Sequence, residues 1–262
     1  MAEMFAGYSG ASNTGYKQTI NEDFISITEL DSDTLLAMVA DGNGGKNTLF
    51  QPAAIVCNQI VNAVKRLYKK DKKIFLKNAR TFMEEILLSA NDVLIAFKLG
   101  NEAENFGFAS SISCLILERS GRCTFAHAGN TRIYMLKDDK IIQLTKDHTL
   151  AQELVDRGNL SADDYYTSMD RLNMYSGMGV VSIPIINTGQ VKLPENTILL
   201  MSSDGLHYSL KEFAIRDITY AARSLDEAVQ SLTSAAIEQK NFPDNISVNI
   251  IYYFGERKEN ET

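Results

Sequence analysis

Cysteine is scarce in this chain: of 262 residues only Cys57, Cys114 and Cys123 carry thiols, each within an apolar stretch. A small odd number excludes a disulfide framework and reads as reduced core residues in a reducing compartment. No apolar run approaches the roughly 18 residues expected of a membrane span. The opening MAEMFAGYSG also lacks the basic region and long apolar run of a secretion signal. The expectation is a cytoplasmic protein that makes no membrane contact. Asn245-Ile246-Ser247 spells a glycosylation sequon, which has no meaning without secretion. Basic residues are not in excess, with 26 Lys and Arg against 33 Asp and Glu and a net charge of −7. That balance argues against a nucleic-acid partner, which calls for a basic face. Repeats and low-complexity tracts are absent.

Several chemical signatures are missing too. In GNGGK, a phosphate loop of the GxxxxGK[ST] type would need glycine at position 40 and Ser or Thr at position 47; the chain has Ala40 and Asn47. Ser202 and Ser203 lie outside any GxSxG context, so a serine hydrolase is unsupported. Cys123 and His127 have no second pair at zinc-ligand spacing and read as core. His148 and His207 fall near expected helix starts, where a capping or surface role outweighs that of a catalytic acid.

What is present is an ordinary globular composition, 45% apolar and 23% charged, enough for one large domain. The reading is a single domain over 1–255 followed by a polar tail, 256–262. Strands are expected at Met4–Ser12, Asp23–Leu30 and Leu35–Ala40. Helical spacing follows from Gln51 to Tyr68 and from Lys73 to Leu99. Hairpins are expected from Ser111–Glu118 with Arg122–Ala128, and from Arg132–Lys137 with Lys140–Leu144. A short helix from about His148 to Asp156 should start on Asp147 or Thr145 and end at Gly158. Residues 159–187 read as irregular. An apolar strand, Ile198–Ser202, precedes two capping boxes, Ser209-x-x-Glu212 and Ser224-x-x-Glu227, and Ile246–Phe254 is the last strand. Strands arrive in antiparallel runs rather than in βαβ alternation, which favours a layered α+β fold.

Acidic residues recur where strands begin or end: Asp23 after Asn21-Glu22, Asp41 in VADGNGGK, Asp204 in SSDGL and Asp244 before the last strand. Singly, an Asp-Gly pair is a turn. Gathered at one sheet edge, such carboxylates would repel unless cations neutralised them, and hard oxygen ligands suit Mg²⁺ or Mn²⁺ rather than zinc.

The segments NED (21–23), VADGNGG (39–45), HAGNTR (127–132), LTKDHT (144–149), SSDGL (202–206) and DNISV (244–248) occur in an order that resembles the type 2C, or PPM, metal-dependent protein phosphatases. The resemblance runs from about residue 8 to residue 254. It implies two antiparallel sheets packed as a sandwich with helices outside, in α-β-β-α layers. It implies a dinuclear Mg²⁺ or Mn²⁺ centre at one end, with Asp41 bridging both ions, the Gly42 carbonyl on one, and Asp204 and Asp244 completing the other. Glu22 and Asp23 would bind metal directly or through water. Residues 159–187 would be the family's flap. The implied reaction is hydrolysis of phosphoserine and phosphothreonine on proteins, with a cognate Ser/Thr kinase or its targets as partners.

Three positions depart from the family pattern. Where many members carry a phosphate-binding arginine, this chain has Gln18 beside Lys17, so weak phosphate capture is expected. Asn130 replaces an aspartate that holds a third metal in bacterial members, which makes a third site poor or absent. Asn43 replaces a histidine of many animal members and cannot donate a proton. These departures sustain an alternative: a pseudophosphatase, or a phosphoprotein-binding regulatory domain, with little or no turnover.

Overall fold

A computed structural model describes residues 5–44, 51–100 and 107–255. The expected tail, 256–262, Met4 at the start of the first strand, and Gly45 to Asn47 of the glycine-rich segment lie outside the described residues.

Ten strands form two antiparallel five-stranded sheets. The first has β1 (Ala6–Asn13), β10 (Ile246–Tyr253), β9 (Thr197–Ser202), β6 (Arg132–Lys137) and β7 (Lys140–Gln143) side by side. The second has β2 (Phe24–Asp31), β3 (Thr34–Asn43), β4 (Ala109–Glu118), β5 (Arg122–Ala128) and β8 (Asn187–Lys192) in that order. Strand side chains alternate between faces, and the cores follow that alternation. Ala37 and Val39 of β3 join Leu115, Leu199, Met201 and Ile251 between the sheets. Met38 and Ala40 face outward onto Val56, Ile60 and Leu87 of α1 (Pro52–Lys70) and α3 (Ala79–Gly100). The run LLAMVA is therefore a strand buried on both faces. On the opposite side, Ile215 of α7 (Glu212–Ala221) and Leu232 of α8 (Leu225–Gln239) pack on Tyr134, Leu200 and Ile250. The α-β-β-α sandwich is as expected.

Several local expectations change. The helix expected over 73–99 is two, α2 (Lys72–Lys77) and α3. Asn78 separates them: its backbone, at φ −113° and ψ 24°, leaves the helical region, and its amide Nδ2 also donates back to the Ile74 carbonyl at 2.9 Å. The helix α4 (Leu150–Asp156) is capped by Thr149, whose hydroxyl accepts from the Gln152 amide. Asp147 and Thr145 do not cap it, because Asp147 faces Arg132 and the Thr145 hydroxyl accepts from the Ile133 amide. Ser209 caps nothing; α7 begins after Lys211 without a side-chain cap. Ser224 does cap α8, accepting from the Glu227 amide at 3.1 Å. Residues 159–187 contain α5 (Ala162–Tyr165) and a 3₁₀ turn, Met169–Leu172. They run into β8, which the sequence pattern did not signal because NTGQVK is an almost wholly polar edge strand. The four-residue α6 (Asp204–His207) follows β9. His148 and His207 are buried, not on the surface, and all three cysteines are buried and free. Among the described residues no helix is long and apolar enough to cross a membrane.

Candidate metal centre

The acidic positions meet at one end of the sandwich. Asp41 and Asp23 have the same parity as Val39 and Ile25, whose side chains lie between the sheets; β3 carries Asp41 past the end of that apolar layer. Asp204 opens α6 as β9 ends, and Asp244 immediately precedes Asn245 and β10. Glu22, Asp41, Gly42, Asp204 and Asp244 line one cavity of about 420 Å³. Gln18 and Asn130 line it too, and so do Leu172, Met174, Phe242 and Pro243 on an apolar side. Lys17 is exposed, in a turn over residues 15–17 rather than on a strand, and is not among the lining residues.

Two glycines are required by close approach. A Cβ on Gly42 would come within 2.7 Å of the Glu22 carbonyl oxygen, and one on Gly205 within 1.9 Å of the Asn245 carbonyl oxygen. Any other residue would push the two walls of the cavity apart.

The electrostatics are those of uncompensated acids. Burial raises the Asp41 carboxyl well above the usual range, and Asp204, Asp23 and Asp244 add to the rise. Asp204 is raised in the same way, by burial and then by Asp244 and Asp23. Asp23 is pushed up to about 7, first by burial. Burial also raises Asp244 and Glu22. Like charges in a common cavity are unfavourable unless a cation or proton neutralises them. Among the described residues no three or more His, Cys, Asp or Glu side chains stand together as a group that could hold a metal ion as they are placed, although the Asp41 and Asp204 carboxyls are in hydrogen-bond contact. The donor set nonetheless fits hard divalent cations. It is all oxygen, and Asp204 Oδ1 and Asn130 Oδ1 are buried without a hydrogen-bond partner.

Around the acids stand residues that the sequence reading missed. Ser203 is fully buried; its hydroxyl donates to Asp23 Oδ2 at 2.7 Å and accepts from the Ser247 amide at 2.9 Å. The Asn245 side chain accepts from the Glu22 amide at 2.8 Å and donates to the Thr14 and Ile20 carbonyls at 3.0 Å each. It thereby fastens the 14–22 loop, which bears Gln18 and Glu22, to the end of β10. The Gly44 amide donates to Glu22 Oε1 at 2.6 Å, and Gln18 Nε2 donates to the Pro243 carbonyl at 3.1 Å. The sequence places Ser203 and Asn245 each beside an aspartate, but nothing local says that their partners lie across the molecule.

Beside the cavity is a second buried charge. Arg132 grips Asp147 through Nε at 2.9 Å and Nη2 at 2.8 Å, and the hydroxyl of Tyr165 also donates to Asp147. Tyr208, four residues after Asp204, donates to the Arg171 carbonyl at 2.9 Å. Its ring and that of Phe242 lie 5.0 and 5.7 Å from the Arg171 guanidinium. Residues 159–187 are thus clamped to the helix that begins with Asp204. His127 lies behind the HAGNTR turn, with Nε2 donating to the Lys146 carbonyl and Nδ1 accepting from Ser113. Burial, and then His148, pushes its pKa down to about 3.

The family model described as Protein phosphatase 2C matches residues 10–240. A putative protein phosphatase 2C-type of Streptococcus pyogenes is 26% identical over 238 residues, covering 91% of this chain and 94% of the relative. Protein phosphatase PhpP of Streptococcus pneumoniae is 24% identical over 240 residues, with the same shares of 91% and 94%. Among solved structures, the serine/threonine phosphatase of S. agalactiae superposes with a TM-score of 0.82 at 24% identity, covering 95% of this chain and 99% of that one. With a match over most of its length and a sandwich whose acidic residues meet at one end, the chain belongs to the protein phosphatase 2C family.

Proposed function

We propose that this protein hydrolyses phosphoserine and phosphothreonine on proteins with the help of two Mg²⁺ or Mn²⁺ ions held in the acidic cavity. The supporting observation is the convergence of Glu22, Asp41, Gly42, Asp204 and Asp244 on one cavity with carboxyls raised by burial and mutual repulsion. Such a cavity gains most when cations enter it. A relative solved with two manganese ions, the PstP catalytic domain, shares the fold at a TM-score of 0.74.

In this reading Asp41, the Gly42 carbonyl, Asp204 and Asp244 would hold the ions. Glu22 and Asp23 act directly or through water. When bound, the ions supply an activated water for in-line attack and offset charge on the phosphoryl oxygens. The chain's own part is orientation and exclusion. Ser203 fixes Asp23, Asn245 fixes the loop bearing Glu22, and Leu172, Met174, Phe242 and Pro243 form the apolar wall against which the substrate residue lies. Gln18 reaches the cavity but offers a neutral amide tied to Pro243, so this position supplies no guanidinium to bind the phosphate. Asn43 offers no acid, and water protonates the leaving alkoxide. The working partner is a phosphorylated protein and, upstream, the kinase that made it. With no transmembrane-type helix in the described residues, a cytoplasmic site of action is part of the proposal.

The test is turnover of a phosphothreonine peptide with Mn²⁺ by the wild type and by Asp41→Asn. The expected loss is at least about a hundredfold; equal turnover defeats the reading. One observation, Gln18 in place of an arginine, favours a second reading, in which the protein binds phosphoprotein and metal without turnover. Tight Mn²⁺ binding in calorimetry with no hydrolysis by the wild type would select it.

A further inference from the structure

Asn130 occupies the turn where the chain leaves β5 in one sheet for β6 in the other, and only 5% of its surface is exposed. That turn is held on both sides of its peptide: the Gly129 amide donates to His148 Nδ1 at 3.2 Å, and the Gly129 carbonyl accepts from the His148 amide at 2.7 Å. From this fixed point Asn130 Nδ2 donates to Asp204 Oδ2 at 3.0 Å. Asp204 Oδ1 and Asn130 Oδ1 are buried without partners, and both residues line the acidic cavity.

A carboxylate turns broadly about its last torsion. A donor that commits one of its oxygens removes that freedom and decides where the other points. We propose that Asn130 is a positioning residue for Asp204: its amide holds Oδ2, so that Oδ1 is kept free as a preset cation ligand. The inference rests on the dinuclear reading above. It also gives the departure at this position a function. A carboxylate here would face Asp204 with no hydrogen to donate and would add a further negative charge to five already gathered. A neutral amide supplies the donor and adds no charge, so Asp204 is held in place without any additional cation. Partners of this kind, which hold a ligand without touching the metal, are worth about ten- to a hundredfold in metal affinity.

The test is calorimetric titration of Mn²⁺ into the metal-free wild type, Asn130→Ala and the volume-preserving Asn130→Leu, with the melting temperature of each metal-free protein measured alongside. The wild type is expected to take two ions. Both variants are expected to need about tenfold or more Mn²⁺ for half-saturation, and phosphatase activity lost at low Mn²⁺ should return as the ion is raised. A lowered melting temperature with unchanged Mn²⁺ affinity marks an amide that only supports the fold, and overturns the inference. A wild type that binds two ions no more tightly than both variants overturns it while leaving the dinuclear reading intact. A wild type that binds no Mn²⁺ removes both.

Discussion

Asp147 and Asp204 are buried carboxylates, 0% and 5% exposed, yet their environments have opposite effects. Burial works to raise both. At Asp147 the Arg132 guanidinium overcomes it, with help from Tyr165, and holds the carboxyl below the ordinary range. At Asp204 the neighbours are more acids, and the carboxyl is driven well above it. In one region the chain supplies the counter-charge; in the other, on the function proposed above, the counter-charge would come from solution. The first arrangement is a clamp that fastens residues 159–187 to the β6 end of the first sheet. The second is a receptacle whose stability depends on what enters it.

The comparison breaks most visibly at Asp147. Asp147→Asn leaves Arg132 buried without its counter-ion and should cost about 3–5 kcal/mol in urea unfolding. A loss under about 1 kcal/mol would mean that the pair is a bystander. Gln18→Arg brings a cation to the receptacle from the chain itself. It should raise kcat/KM by about tenfold or more, near 1.4 kcal/mol of transition-state stabilisation, read from steady-state kinetics at fixed Mn²⁺. Asp41→Asn has the reverse sign from Asp147→Asn. In the metal-free protein it relieves repulsion and should stabilise by about 1 kcal/mol, and the rise in melting temperature with Mn²⁺ expected of the wild type should be lost.

The last effect is one of pH. Asp23, at about 7 when folded against an ordinary value of 3.8, takes up a proton on folding. Its contribution to metal-free stability is full below about 4 and lost as pH rises towards 7. His127 has the opposite sign, since its folded value near 3 makes the native state lose stability as pH falls below 6.5. His127 is no part of the cavity, so Mn²⁺ isolates the acids. The stability gap between loaded and metal-free protein should widen from pH 4 to pH 7, and a constant gap would show that the acids are not what the metal relieves.

Much of this was legible in the chain because it is local. LLAMVA followed by Asp41-Gly42 announces a buried strand with a carboxylate near its end, although the strand runs on to Asn43 rather than stopping at Ala40. Ser224 followed by Glu227 announces a helix start, and Asp138-Asp139 between two short strands announces a hairpin, whose φ angles of 50° and 59° are indeed left-handed. The break at Asn78 was not legible, since an asparagine is tolerated within a helix and only its backbone angles show that it interrupts one. Neither was β8, whose polar sequence becomes a strand by pairing along the free side of β5, from Arg122 with Lys192 to His127 with Asn187. Ser209 failed as a cap because the chain there is still finishing the turn after Asp204, with the Ser209 amide bonded to the Leu206 carbonyl.

By itself the sequence determined which residues are acids, where most of the strands and the long helices run, and which family order the motifs follow, since propensity and periodicity act over a few residues. Only the tertiary structure decided that Asn130 would reach Asp204 across 74 positions, that Asn245 would fasten Glu22 across 223, and that Asp147 would have an arginine while Asp204 has none. Those pairings are set by how two sheets register and pack, and a carboxylate's charge state follows from whatever that packing places beside it.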